Sequence, residues 1–163
     1  MDQHSQFFSR LKQFHTGMLT TLSNDGSPHV RPMAVARLDE DCSLWFLTRD
    51  PSEVATEIRT DSIATISFQR EPDLYVIVNG FVRVTHDVHV ATQLWQESLR
   101  HWFPEGLEDK DLAVISLEPH SGEYWESTGA GKFRTAYEFV RSSVTGTEPI
   151  VQTADQHVKV ALS

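Results

Sequence analysis

Phe7, Phe8, Leu11 and Phe14 recur at helical spacing, which predicts a short amphipathic helix over residues 3–14. From Met18 onward the period shortens to that of strands. Residues 18–23 read as a strand, Asn24-Asp25-Gly26-Ser27 as a hairpin turn, and residues 29–37 as the antiparallel partner. A second turn over 38–41 leads into a strand over 44–48, so three strands follow one another as a meander.

Asp50 as N-cap, Pro51 at the first helical position and Glu53 at the third predict a helix whose inner face carries Val54, Ala55 and Ile58. Residues 63–68 and 74–84 are β-branched and aromatic runs separated by a turn over 70–73. A second helix is expected over 88–101, with Trp95 and Leu99 inward. Two last strands are expected over 112–117 and 123–126, punctuated by Pro119 and Gly122. Beyond residue 127 the pattern changes to a break at Gly129 and Gly131, a helix with Phe133, Tyr137 and Val140 on one side, and a Thr-rich polar tail. Six or seven strands without β-α-β alternation predict a mainly β domain with peripheral helices, closed as an antiparallel barrel. That domain is placed over 1–127, with 128–163 as a C-terminal helix and tail packed on it or extending from it.

Composition narrows the setting. A hydrophobic share of 39% and a mean hydropathy of −0.33 are those of an ordinary soluble domain. No apolar run approaches the roughly 18 residues of a membrane span, and the opening Met-Asp-Gln-His-Ser has no leader pattern, so a cytoplasmic protein is expected. Cys42 stands alone and supports neither an intrachain disulfide nor a Cys-rich zinc site. A formal charge of −9, with Arg31, Arg37, Arg49, Arg59 and Arg70 dispersed among acids, argues against nucleic acid as a partner. A phosphorylated small molecule is not excluded, because one or two aimed cations and a helix N-terminus suffice to hold it.

No nucleophile elbow, Walker phosphate loop, dinucleotide fingerprint or H-E-x-x-H is present. His86 and His89 are spaced to share a helix face, but Asp87 between them is a natural N-cap, and the pair reads as solvated side chains rather than metal ligands. Cys42 lies in an acidic turn that raises a thiol pKa and reads as structural. Thr48 at a strand end, beside the helix from Pro51, offers hydroxyl and backbone donors to an anion, and Arg31 adds charge. The same spacing also suits a plain strand-to-helix joint, and spacing alone leaves both readings open.

The order of His29-Val30-Arg31-Pro32-Met33, Leu44-Trp45-Phe46-Leu47-Thr48, Ser52 with Glu57-Ile58-Arg59, Tyr75-Val76-Ile77-Val78-Asn79-Gly80, Trp102-Phe103-Pro104-Glu105-Gly106 and Glu123-Tyr124-Trp125 resembles the general stress protein branch of the pyridoxamine 5'-phosphate oxidase-like split barrels. The tail, with Ser143-Val144-Thr145-Gly146 and His157-Val158-Lys159-Val160, is similar as well. The resemblance implies a six-stranded split barrel, a homodimer, and flavin mononucleotide (FMN), with FAD as the alternative, in a cleft to which both subunits contribute. It implies further that Arg31 and Met33 line the flavin, that Trp45, Phe46, Leu47 and Thr48 follow its ring edge and ribityl phosphate, that Ser52 binds phosphate, and that Trp102 and Trp125 cover the ring or wall the cleft. Trp102 is the favoured ring neighbour. One departure stands out: where the branch commonly has a phosphate-binding lysine two residues after the serine, this chain has Val54, leaving Arg31, Arg49 and Lys132 as substitute cations. The activities implied are a flavin-dependent oxidoreductase on a small molecule, or a flavin-binding stress protein without dedicated turnover. Haem binding on the same barrel is a third reading, which would need a ligating histidine such as His29 or His120.

Overall fold

The computed structural model describes residues 1–71, 73–127, 146 and 156–162. Helix α1 (Gln3–Leu11) is capped by Asp2, whose carboxylate accepts the Ser5 N–H at 2.7 Å, and it buries Phe7 and Leu11. The strands β1 (Thr16–Leu22) and β2 (Pro28–Ala34) form the expected hairpin, its turn made tight by Gly26 at φ +80°.

The expected strand over 29–37 is in fact broken. The Val35 N–H bonds to the His15 carbonyl on the β1 side, and the next N–H, from Ala36, bonds to the Trp45 carbonyl. The chain thereby changes partner and continues as the two-residue β3 (Arg37–Leu38) along β4 (Leu44–Arg49). In the turn between them Cys42 is buried with φ 68°, and burial, aided by Asp41, pushes its thiol up to about 11, which makes it unreactive.

Helix α2 (Glu53–Thr60) starts later than expected. Its cap is Ser52, whose Oγ accepts the Ala55 N–H at 3.2 Å, because the Asp50 carboxylate is taken by Arg59 and by His86 and Pro51 lies outside the helix. Strands β5 (Ile63–Arg70) and β6 (Leu74–Thr85) follow. The helix expected over 88–101 ends after one segment, α3 (Val88–Leu94), and resumes as a 3₁₀ turn over Glu97–His101, with Trp95 extended between them. Asp87 caps α3 as expected. The two last strands are one, β7 (Leu112–Glu126), which runs through Pro119, in register with Gly80, and then bulges by one residue at His120, opposite the step from Asn79 to Gly80. In the expected tail, β8 (Gln156–Ala161) pairs with β7, so this segment belongs to the sheet. The helix expected around Phe133 to Val140 lies outside the described residues.

All pairings are antiparallel, in the order β2-β1-β5-β6-β7-β4-β3 with β8 beside β7. The protein is thus mainly β, with eight described strands where six or seven were expected, curled so that β2 approaches β4 without pairing to it. The main core inside the curl includes Phe7, Leu19, Phe46, Ile66, Val76, Ile115 and Tyr124. Each fully buried large side chain contributes about 1.5–3 kcal/mol. A second cluster on the other side of β4 and β7 packs Leu94, Phe103, Leu112 and Val114 against Trp45 and Leu47, with Trp95 and Leu99 at its margin.

Candidate functional site

The partner change at Val35 and Ala36 creates a split. Among the described residues, β2 beyond it pairs only with β1, and Phe46 to Arg49 of β4 pair only with β7, so two strand edges with N–H and C=O groups open among those residues diverge toward the start of α2. Open edges of this kind are ready partners for any flat ligand that carries its own donors and acceptors. Arg31 and Met33 alternate onto the inner face of β2, and Phe46 and Thr48 onto that of β4, the same side as the main core.

Glu57 is the electrostatic centre of the split. It sits on the inner face of α2 with Val54 and Ile58 and is only 7% exposed. Its Oε2 accepts hydrogen bonds from the Thr21 hydroxyl and the Arg31 guanidinium, both at 2.5 Å, and its Oε1 lies 2.8 Å from His29 Nδ1 and 3.2 Å from the Ser23 hydroxyl. Arg31 also donates to the Thr21 oxygen at 2.5 Å. Burial pushes the Glu57 carboxyl upward, but the bonds from Thr21, His29 and Arg31 and the Arg31 charge outweigh it, holding the group down at about 2. The arginine is therefore fixed in place and ion-paired, with N–H groups left for a ligand.

Beside this cluster opens a cavity of about 570 Å³ lined by Ser23, Asn24, Asp25, Pro51, Ser52, Glu53, Thr56 and Glu57. Its described walls are hydroxyls, an amide and three carboxylates, with no lysine or arginine among the described lining residues; Lys132, the third substitute cation, lies outside the described residues. The arginines of β4 and α2 are engaged elsewhere: Arg49 lies 3.1 Å from Asp109, and Arg59 pairs with Asp50.

The structure brings Arg31, Met33, Thr48 and Ser52 to the split and the adjoining cavity. The Phe46 ring is fully buried in the core, which leaves only its backbone to face a ligand. Trp45 and Leu47 turn to the opposite side, where Trp45 donates to Asp39 at 2.7 Å and stacks under Arg37, 4.6 Å from its ring centre. Trp102 is 70% exposed after the 3₁₀ turn, in T-shaped contact with His101, and Trp125 stacks on His157 at 4.8 Å on the outer face of β7. Neither tryptophan is among the described residues that line the cavity beside Arg31. Val54 is buried in the main core. Of the two histidines named for haem, His29 is bound to Glu57, and His120 lies against Phe81 with its Nδ1 buried and without a hydrogen bond among the described residues. Glu57 stood in the sequence only as part of a motif and Thr21 only within a strand, neither with a role at the site, although an acid between Val54 and Ile58 on an inward helix face was the available signal.

The outer face of the sheet is the second feature. Pro32, Met18, Ser67 and Ile77 are aligned across β2, β1, β5 and β6, and Gln69, Tyr75 and Trp125 across β5, β6 and β7. Met18, Val30, Ile63 and Phe81 are large apolar residues left substantially exposed there, and a groove of about 550 Å³ runs between Met18, Tyr75, Ile77 and Trp125.

The family model described as "Pyridoxamine 5'-phosphate oxidase like" matches residues 2–149. No curated protein matches the chain. Among solved structures, the general stress protein 26 from Bacillus anthracis str. Sterne shares 26% identity at a TM-score of 0.67, covering 76% of this chain and 94% of that one. A Jannaschia sp. CCS1 protein provisionally named general stress protein 26 shares 23% at 0.69, covering 96% of both chains. The general stress FMN/FAD binding protein from Xanthomonas citri shares 24% at 0.64, covering 76% of this chain and 87% of that one.

Proposed function

Since the chain belongs to the pyridoxamine 5'-phosphate oxidase-like family, we propose that it is a flavin-binding protein of the general stress type that oxidises or reduces a small molecule, working as a homodimer in the cytoplasm. The observation that carries this reading is the split itself: two open strand edges flank Arg31, whose guanidinium is fixed by Glu57 and Thr21. An isoalloxazine is flat and carries carbonyl, N–H and ring-nitrogen groups along one edge, which open strand edges and a fixed guanidinium complement. The description of the Xanthomonas citri structure as FMN/FAD binding supports the same ligand class.

A bound flavin supplies hydride chemistry at its ring nitrogen, and the protein has to place the ring, tune its electronics and limit access. Arg31 would hold positive charge against the ring edge, with Glu57 and Thr21 preventing its rotation. Thr48 and the β4 backbone would fix the opposite edge. In this reading the apolar outer face around Met18, Ile77 and Trp125 is covered by a second copy, which brings its own tryptophans to the cleft.

Fluorescence titration of the purified protein with flavin, combined with sedimentation, tests both halves. A dimer that quenches flavin fluorescence is expected. Ile77→Glu should yield a monomer with weakened flavin binding, because the substitution puts charge in the middle of the covered face. A wild-type monomer at micromolar concentration, or no response to any flavin, would overturn the corresponding half.

A further inference from the structure

The described lining of the cavity next to Arg31 suits a polyol better than a phosphate. The lining side chains Ser23, Asn24, Ser52 and Thr56 offer hydroxyls and an amide, and the Asp25 and Glu57 carboxylates can accept hydrogen bonds from sugar-like hydroxyl groups, while Glu53 lies at the mouth. A phosphate dianion meets a different balance there. The Glu57 charge is offset by Arg31 at 2.5 Å, which leaves Asp25 and Glu53 as two anions at the mouth. Against them stands the N-terminus of α2, equivalent to about half a positive charge. Among the described residues, Arg31, Arg49 and Arg59 each already hold a carboxylate. Val54 is only 6% exposed and packs in the core, so that position is given over to apolar packing, and Glu53 beside it is exposed and carries the wrong sign for phosphate.

We propose that, within the flavin-binding reading on which this rests, the protein receives the ribityl chain in this cavity without a phosphate site, and binds riboflavin at least as tightly as FMN. Adding salt screens Asp25 and Glu53, so FMN affinity rises or holds steady with ionic strength. A conventional phosphate site loses affinity under the same change.

The test is a pair of fluorescence titrations of the full chain, with riboflavin and with FMN, each at low and at high ionic strength. The expected result is riboflavin binding equal to or tighter than FMN at low salt, with the difference closing at high salt. Glu53→Lys, an exposed substitution that leaves the core untouched, should tighten FMN about tenfold at low salt while leaving riboflavin within about twofold, since it replaces an anion at the mouth by a cation. FMN binding more than about threefold tighter than riboflavin to the unaltered protein, and weakening with salt, would overturn the inference and leave the flavin reading standing. Equal responses of both ligands to Glu53→Lys would also overturn it, because the chain terminus would then lie elsewhere. Failure of both flavins to bind would remove the flavin reading and this inference together.

Discussion

Glu57 shows how one side chain ties stability to a binding function. Its carboxyl sits at about 2 in the folded chain against an ordinary 4.5, so the native state binds fewer protons than the unfolded one as pH falls between those values. The stabilisation is complete above about 4.5 and is lost as pH drops toward 2. Glu57→Gln is expected to flatten that part of the stability profile, measured as denaturation midpoint against pH. Asp50, held low by hydrogen bonds from Arg59 and His86, supplies part of the slope that remains. The same variant frees Arg31 to rotate, so flavin affinity should fall at neutral pH, where the midpoint effect is separable from the binding effect. At this scale the sequence was partly readable. Arg31, Thr48 and Ser52 could be marked from their neighbours in the chain, but the Arg31–Glu57 pair joins residues 26 apart, and only the curl of the sheet brings them together.

The elements were legible where local chemistry decided them and misread where pairing partners did. The β1–β2 hairpin needed only Gly26 and alternation, and Asp87 needed only its own side chain to cap α3. The break at Val35 and Ala36 depends on which strand each N–H meets, and β7 continues through Pro119 and a bulge at His120 because β6 pairs with it on both sides, so neither leaves a local mark. Gly122 was read as punctuation, yet it lies within β7 beneath α1. A methyl group there would run into the Phe7 ring, which is itself fully buried against Tyr124. Gly122→Ala is therefore expected to cost about 1–3 kcal/mol by overpacking, read as a lower melting temperature, while leaving the split intact.

At the scale of the whole molecule, β7 organises the sheet. One of its edges is paired with β6 along nearly its full length, and the other is divided, with β4 on residues 112–117 and β8 on residues 121–126. The antiparallel architecture follows from strand count and the lack of β-α-β alternation, but this sharing of an edge by segments far apart in sequence does not. It makes β8 a seal. A chain cut before Gln156 would keep most of the main core, losing the buried Val160 and the partly buried Val158 and Leu162, yet it would leave Ser121 to Glu126 as an unprotected ladder with Trp125 stripped of its His157 cover. Such edges recruit strands from other chains. The truncated protein is thus expected to retain a β spectrum by circular dichroism while forming aggregates that grow with concentration in light scattering. For this fold, the last strand protects against self-templated polymerisation more than it contributes to folding.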